Sequence, residues 1–200
     1  MVPSKTRSAA PRRGNDASAN DQLDRPIIRE ATPNKSKFQA AVGDRVIGVD
    51  LGSAGALALL VDGDLVEVAD MPILRDGPNS RPTVNPALLA PFFRRWNPRI
   101  AYIEFVSARP GEGPTGAFAF GRSRGCIEGV LGALAVPVAW ITAPAWKRAL
   151  GLSFASKDAA RSEAIRRWPA QAELFARVRD DGRAESALIA VAGLLREARQ

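Results

Sequence analysis

The chain is 200 residues long, 46% apolar, and carries 28 basic against 21 acidic side chains, for a net charge of +7. That length and apolar share suit one compact domain plus an additional segment, and the basic surplus favours a polyanionic partner. With no histidine and a single cysteine, Cys126, the chain excludes Ser-His-Asp and Cys-His hydrolases, zinc sites of imidazole or clustered thiolate, and an intrachain disulfide; hydrolytic chemistry must rest on carboxylates, lysines and a hard cation.

Residues 1 to about 42 are rich in Ser, Pro, Asn, Ala and Arg without apolar periodicity, and read as a disordered basic arm. Residues 1–40 carry eight basic and four acidic side chains, so +4 of the charge lies there and basicity on the body must be locally concentrated. No apolar run follows the basic residues as in a secretory signal, Asp16, Asp21, Asp24 and Glu30 argue against a transit peptide, and no stretch has the length and apolarity of a membrane span. The expectation is a cytoplasmic protein whose folded domain covers residues 43–200.

From Arg45 the pattern changes. Arg45–Asp50 is a short β-branched run ending in a carboxylate, Leu51-Gly52-Ser53 turns the chain, and Gly55–Val61 continues as a second strand. Asp62-Gly63-Asp64 is a hairpin signal leading into a third, alternating strand over Leu65–Met71. Residues 72–83, with three prolines, read as a loop. Asn85–Trp96 reads as a helix with Pro86 in its first turn and a kink at Pro91. Ile100–Phe105 is a buried strand interrupted by one acid, Glu104. A Gly/Pro-rich loop over Ala108–Gly116 precedes a small-residue helix to about Ala135, and Val136–Thr142 is a fifth strand. Pro144–Leu150 begins a short helix; Ser156 caps another over Lys157–Trp168, which Pro169 closes. A last helix runs from about Asp181 to Arg199. This order gives an α/β plan: a mixed sheet with helices on its faces, whose first and fourth strands can lie side by side.

Three sets of acids stand in positions that cost free energy unless they are used. Asp50 ends an apolar strand and Glu104 interrupts one, where an unpaired buried charge costs several kcal/mol. Asp181 and Glu185 are four apart on a helix, so at about 100° per residue they share a face. Asp180 and Glu185 would be roughly 140° apart by the same measure, which favours Asp181. Each has an ordinary alternative: a turn residue for Asp50, a solvated helix face for the pair. Together they could gather around a hard cation, provided the fold brings the first strand, the fourth strand and the last helix together.

The local sequences resemble the RuvC-type Holliday-junction resolvases, phage-type members of the RNase H-like superfamily. Ile47-Gly48-Val49-Asp50-Leu51-Gly52-Ser53-Ala54-Gly55 resembles their opening strand and turn, and Ala101-Tyr102-Ile103-Glu104 their fourth strand. Arg109-Pro110-Gly111-Glu112-Gly113, Phe118-Ala119-Phe120-Gly121-Arg122 and Gly125 resemble the loop and helix that follow. Pro144-Ala145-Trp146-Lys147 and Lys157 look like the family's basic pair, and Asp181-Gly182-Arg183-Ala184-Glu185 like its acidic terminal helix. The match runs from about residue 45 to 195 with its elements in order.

The resemblance implies an RNase H-like mixed five-stranded sheet, three antiparallel strands then two parallel, flanked by helices. It implies that Asp50, Glu104, Asp181 and Glu185 hold Mg²⁺ or Mn²⁺, two ions per active site, around a scissile phosphate. Lys147 and Lys157 would bind that phosphate or neutralise charge growing on it. The implied activity is metal-dependent resolution of four-way DNA junctions by a homodimer joined through the small-residue helix, in a nucleoid-associated setting with no membrane or nucleotide cofactor. Ser53 either brings backbone N–H groups near the strand acid or belongs to a plain turn. Arg122 and Arg124, read as flanking the start of a helix, are candidate phosphate contacts; Arg161, Arg166 and Arg167 are read as solvent-facing. The position of the family's base-stacking aromatic falls at Ser107, leaving Phe105, Phe118 or Phe120. Rival readings are a nuclease of broader branched-DNA or flap specificity, a catalytically inactive DNA-binding relative, and a sugar-kinase or actin-like ATPase, which would need a second phosphate-binding glycine turn that is missing.

Overall fold

The computed structural model describes residues 43–76, 81–107, 111, 113–153, 156 and 158–200. The arm expected over residues 1–42 and the candidate Lys157 lie outside the described residues. The elements are β1 (Arg45–Val49), β2 (Ala56–Val61), β3 (Asp64–Asp70), β4 (Ile73–Asp76), β5 (Arg81–Val84), α1 (Pro86–Trp96), β6 (Ile100–Phe105), α2 (Pro114–Ala133), β7 (Val138–Thr142), α3 (Ala143–Ala149), α4 (Ala159–Arg167) and α5 (Asp181–Glu197). Two 3-10 segments, Pro169–Phe175 and Val178–Asp180, connect α4 to α5.

Five strands form one sheet in the order β3-β2-β1-β6-β7. The β1–β2 and β2–β3 pairs are antiparallel, whereas β1–β6 and β6–β7 are parallel. The mixed α/β sheet expected from the element order is therefore present, with β1 beside β6. Strand parity divides the core into two layers, because alternate side chains leave opposite faces. Val46, Ala58, Leu60 and Tyr102 pack with α3, α4 and α5 on one face. Ile47, Val49, Leu57, Leu59, Ala101 and Ile103 pack with α1 and α2 on the other.

Several local expectations are corrected. Residues 73–76 and 81–84 are not loop but a two-stranded antiparallel hairpin, with Arg75 opposite Pro82. A proline is tolerated there because the ribbon leaves N–H positions outside the ladder. The expected helix α1 is present, with Pro91 inside it and its end at Trp96, and with Leu89, Phe93 and Trp96 buried. Burial of that face outweighs the one backbone hydrogen bond that Pro91 cannot donate. Asn85 caps α1 by accepting from the backbone N–H groups of Ala87 and Leu88. Ser156 is not the cap of the next helix. Its carbonyl accepts from the Ala159 N–H at 3.1 Å, forming a turn ahead of α4, and Asp158 stands at the cap position.

The last helix, α5, determines where the acids fall. It lies directly on β1, and a Cβ at Gly48 would stand 1.9 Å from the Ser186 carbonyl oxygen and 2.8 Å from the Ala190 nitrogen. Only glycine allows this approach of helix to strand. Gly48→Val must push α5 off the sheet, and overpacking of this kind costs on the order of 3 kcal/mol. Denaturant titration should show a lower midpoint at unchanged slope; a midpoint within error of the wild type would contradict the packing.

Candidate metal centre

β1 and β6 are in parallel register, with Val49 beside Ile103, so the next step along both strands sets Asp50 beside Glu104. Neighbouring strands are about 4.8 Å apart, which puts the two carboxylates within reach of one ion. Both share the parity of Gly48 and Tyr102, on the face that α5 covers. Gly182, in the first turn of α5, closes the arrangement. A Cβ there would lie 2.9 Å from the Ala54 carbonyl oxygen and 3.0 Å from Asp50 Oδ2, so the helix begins against the β1–β2 turn. Glu185 follows three residues later on the same helix. One carboxylate oxygen each from Asp50, Glu104 and Glu185 lies within 4.8 Å of the others.

Desolvation and the neighbouring charges of Glu185 and Glu104 push the Asp50 carboxyl well above its ordinary range. Glu185 is also raised, chiefly by burial, although the Lys147 ammonium works in the opposite direction. The positive end of the α5 dipole offsets some of the repulsion, typically about 0.3–1 kcal/mol per anion. Crowded acids, of which Asp50 and Glu185 have raised pKa values and all three are part-open to solvent, fit a hard divalent cation, which prefers oxygen ligands and replaces their mutual repulsion by attraction.

Two hollows flank the cluster. One, of about 440 Å³, is an open groove lined by Asp50, Ser53, Gly55, Phe120, Ser123 and Glu185, among others. The other, of about 270 Å³, is lined by Lys147, Ser156, Asp181 and Glu185. Lys147 reaches it from α3, with its ammonium 5.1 Å from the centre of the Trp146 ring. Ser53 lines the first hollow through the turn after β1.

Asp181 does not join the three clustered acids. Its Oδ1 is 2.8 Å from Arg161 Nε. Asp180, the alternative at this helix start, is buried and fastened to Arg177, which donates to it at 2.9 and 3.1 Å and holds its pKa low. Arg122 and Arg124 do not flank a helix start, because α2 begins at Pro114 and both lie well inside it. Arg124 pairs with Glu128 at 3.0 Å and its guanidinium stands 4.2 Å from the centre of the Trp140 ring. Phe105, the residue after Glu104, is 41% exposed and packs edge-on against the same Trp140. Trp146 and Trp168 are buried in the core, and Trp140 is half-buried.

Sequence reasoning missed Arg161. Read as solvent-facing, its side chain is only 12% exposed and is turned towards Asp181. No sequence signal marks it, since its position depends on how the 3-10 segments fold α4 back against α5.

The described fold is similar to Thermus thermophilus RuvC in complex with Holliday junction substrate, with a TM-score of 0.56. The two chains are 16% identical, and the match covers 78% of this chain and 95% of that one. The chain has the RuvC fold, of the RNase H-like class. A second Thermus thermophilus RuvC structure matches at a TM-score of 0.50 and 17% identity, covering 78% of this chain and 96% of that one. No family model and no curated protein matches the chain. The RuvC fold thus rests on the path of the backbone rather than on sequence identity.

The raised Asp50 pKa gives a signed prediction for the metal-free protein. A carboxyl whose folded pKa lies above its unfolded value favours folding while both states are protonated, and that contribution is lost as pH rises through the folded pKa. Asp50→Asn should therefore match wild type below the ordinary value of 3.8. In EDTA at neutral pH it should be more stable than wild type. Thermal melts of both proteins across this range check it; a variant less stable at neutral pH would contradict the burial and repulsion ascribed to Asp50.

Proposed function

We propose that this protein is a structure-selective DNA endonuclease that resolves Holliday junctions by metal-dependent phosphodiester hydrolysis, making paired symmetric nicks as a homodimer. The observation that carries the reading is the meeting of Asp50, Glu104 and Glu185 at one end of β1, β6 and α5, beside an open groove. The RuvC fold supports it, since the similar Thermus thermophilus protein is described in complex with a Holliday junction substrate. Asp50, Glu104 and Glu185 would hold Mg²⁺ or Mn²⁺. When bound, such a cation polarises a phosphoryl oxygen and makes a coordinated water more acidic.

The chain's own residues have separate tasks in this reading. The three carboxylates present a fixed, partly desolvated set of oxygens, so little reorganisation is needed at the moment of reaction. Lys147, beside Glu185, neutralises negative charge on the phosphate, and Lys157 is proposed for the same role. Ser53 and its turn line the groove and would position a DNA strand. The surplus of arginine and lysine supplies the general attraction for the phosphate backbone, which weakens as salt rises.

The homodimer is proposed through α2. Gly121, Gly125 and Gly129 recur every fourth residue, and a Cβ at any of them would meet open space; Phe118 on the same helix is 76% exposed. A second copy can approach such a face closely. Gly125→Arg should convert a dimer to a monomer in analytical ultracentrifugation while leaving the far-UV circular dichroism unchanged; a dimer persisting in the variant would place the interface elsewhere.

Cleavage is tested by incubating the protein with a synthetic four-way junction, a flap and a linear duplex, in Mg²⁺ or in EDTA. Symmetric nicks confined to the junction and abolished by EDTA are expected. Glu104→Gln and Glu185→Gln should each lower the rate on the order of 10²–10³-fold, as loss of a preorganised charged group does. Equal cutting of flaps would broaden the substrate to branched DNA in general. Binding of the junction without cleavage, in Mg²⁺ and in Mn²⁺, would leave an inactive DNA-binding relative.

A further inference from the structure

Asp181 stands one helical turn before Glu185 and lines the same two hollows, yet it is the acid that the cluster lacks. Its carboxylate faces Arg161, with Oδ1 2.8 Å from Nε. Both atoms are shut off from solvent, and the contact is misdirected, so neither makes a well-formed hydrogen bond. The rest of the guanidinium is tied down, through an ion pair with Asp158 and a bond from Nη1 to the Ala176 carbonyl oxygen at 3.3 Å. Arg161 is thus fixed from the start of α4 and from the segment that leads into α5. Its hold on Asp181 is poorer than the bidentate clamp of Arg183 on Asp70, whose contacts are 2.6 and 2.7 Å. Asp181 itself remains about one-third exposed, at 32%.

From this geometry we infer that Arg161 is a positioning residue which withholds Asp181 from the carboxylate cluster, so that a second cation binds only by displacing the guanidinium. The inference rests on the metal-dependent reading of the site and concerns how many ions the resting site takes. Asp50, Glu104 and Glu185 alone suffice for one ion. Asp181 and Glu185 on one helix face would serve a second, and Arg161 already supplies the positive charge that this ion would bring. Entry of the second ion is therefore an exchange of one cation for another, and its affinity falls by whatever the arginine contact contributes.

Isothermal titration of the intact, DNA-free protein with Mn²⁺ tests this without any activity measurement. Wild type should bind one ion tightly and a second weakly. Arg161→Gln should tighten the second step at least about tenfold, equivalent to roughly 1.4 kcal/mol, and leave the first unchanged. Asp181→Asn should abolish the second step only, and the double variant should behave like Asp181→Asn alone, since the arginine acts through that acid. Arg161→Lys, which keeps the charge and most of the packing, should fall between wild type and Arg161→Gln, and carries the test if the glutamine variant fails to fold. An isotherm unchanged by Arg161→Gln, or a weaker second step, would overturn the inference and make Arg161 a support for Asp181. If wild type binds no Mn²⁺ at all, the metal-dependent reading falls together with it.

Discussion

Three carboxylates crowd together where two parallel strands end beneath the first turns of a helix. Burial and the charges of Glu185 and Glu104 raise Asp50, and burial, with a smaller push from Asp181, raises Glu185, so the folded chain carries a local cost that a divalent cation would remove. The arrangement survives because the surrounding packing over-determines it. α5 cannot lift away without exposing an apolar face that includes Ala187, Leu188, Ile189 and Val191. β1 and β6 are locked in register by their backbone ladder. Stability supplied by the core is thus used to hold like charges close, and sites that later bind a charged partner are often built this way.

The same constraint explains the positions of the small residues. Where α5 crosses β1 the contact is backbone to backbone at Gly48, and where it meets the first turn the contact is at Gly182. Larger side chains at either place would raise the helix and draw Glu185 out of reach of Asp50. The Ile47-Gly48-Val49-Asp50 run therefore combines two functions on one strand: its odd positions build the α1–α2 layer, and its even positions seat the helix and present the acid.

Much of this was legible in the sequence because it depends on short-range patterns. Short apolar runs marked β1, β2 and β6 and alternation marked β3, while the register of β1 on β6 that sets Asp50 beside Glu104 came from the fold. The i,i+4 spacing also put Asp181 and Glu185 on one helix face correctly. What spacing cannot supply is the identity of the group opposite that face, and Asp181 met an arginine from α4. The β4–β5 hairpin was hidden by its prolines, since a two-stranded ribbon needs fewer backbone donors than a central strand. The stacking of Arg124 on the Trp140 ring was not legible for a related reason, because it brings together residues distant in the chain.

Whether the clustered acids hold an ion decides what the site can do. Crystals of the protein grown or soaked in Mn²⁺, with data collected at the manganese absorption edge, answer this directly. An anomalous peak within coordinating distance of Asp50, Glu104 and Glu185 is the result expected. Clear density for all three side chains with no anomalous peak among them, at millimolar Mn²⁺, would contradict it.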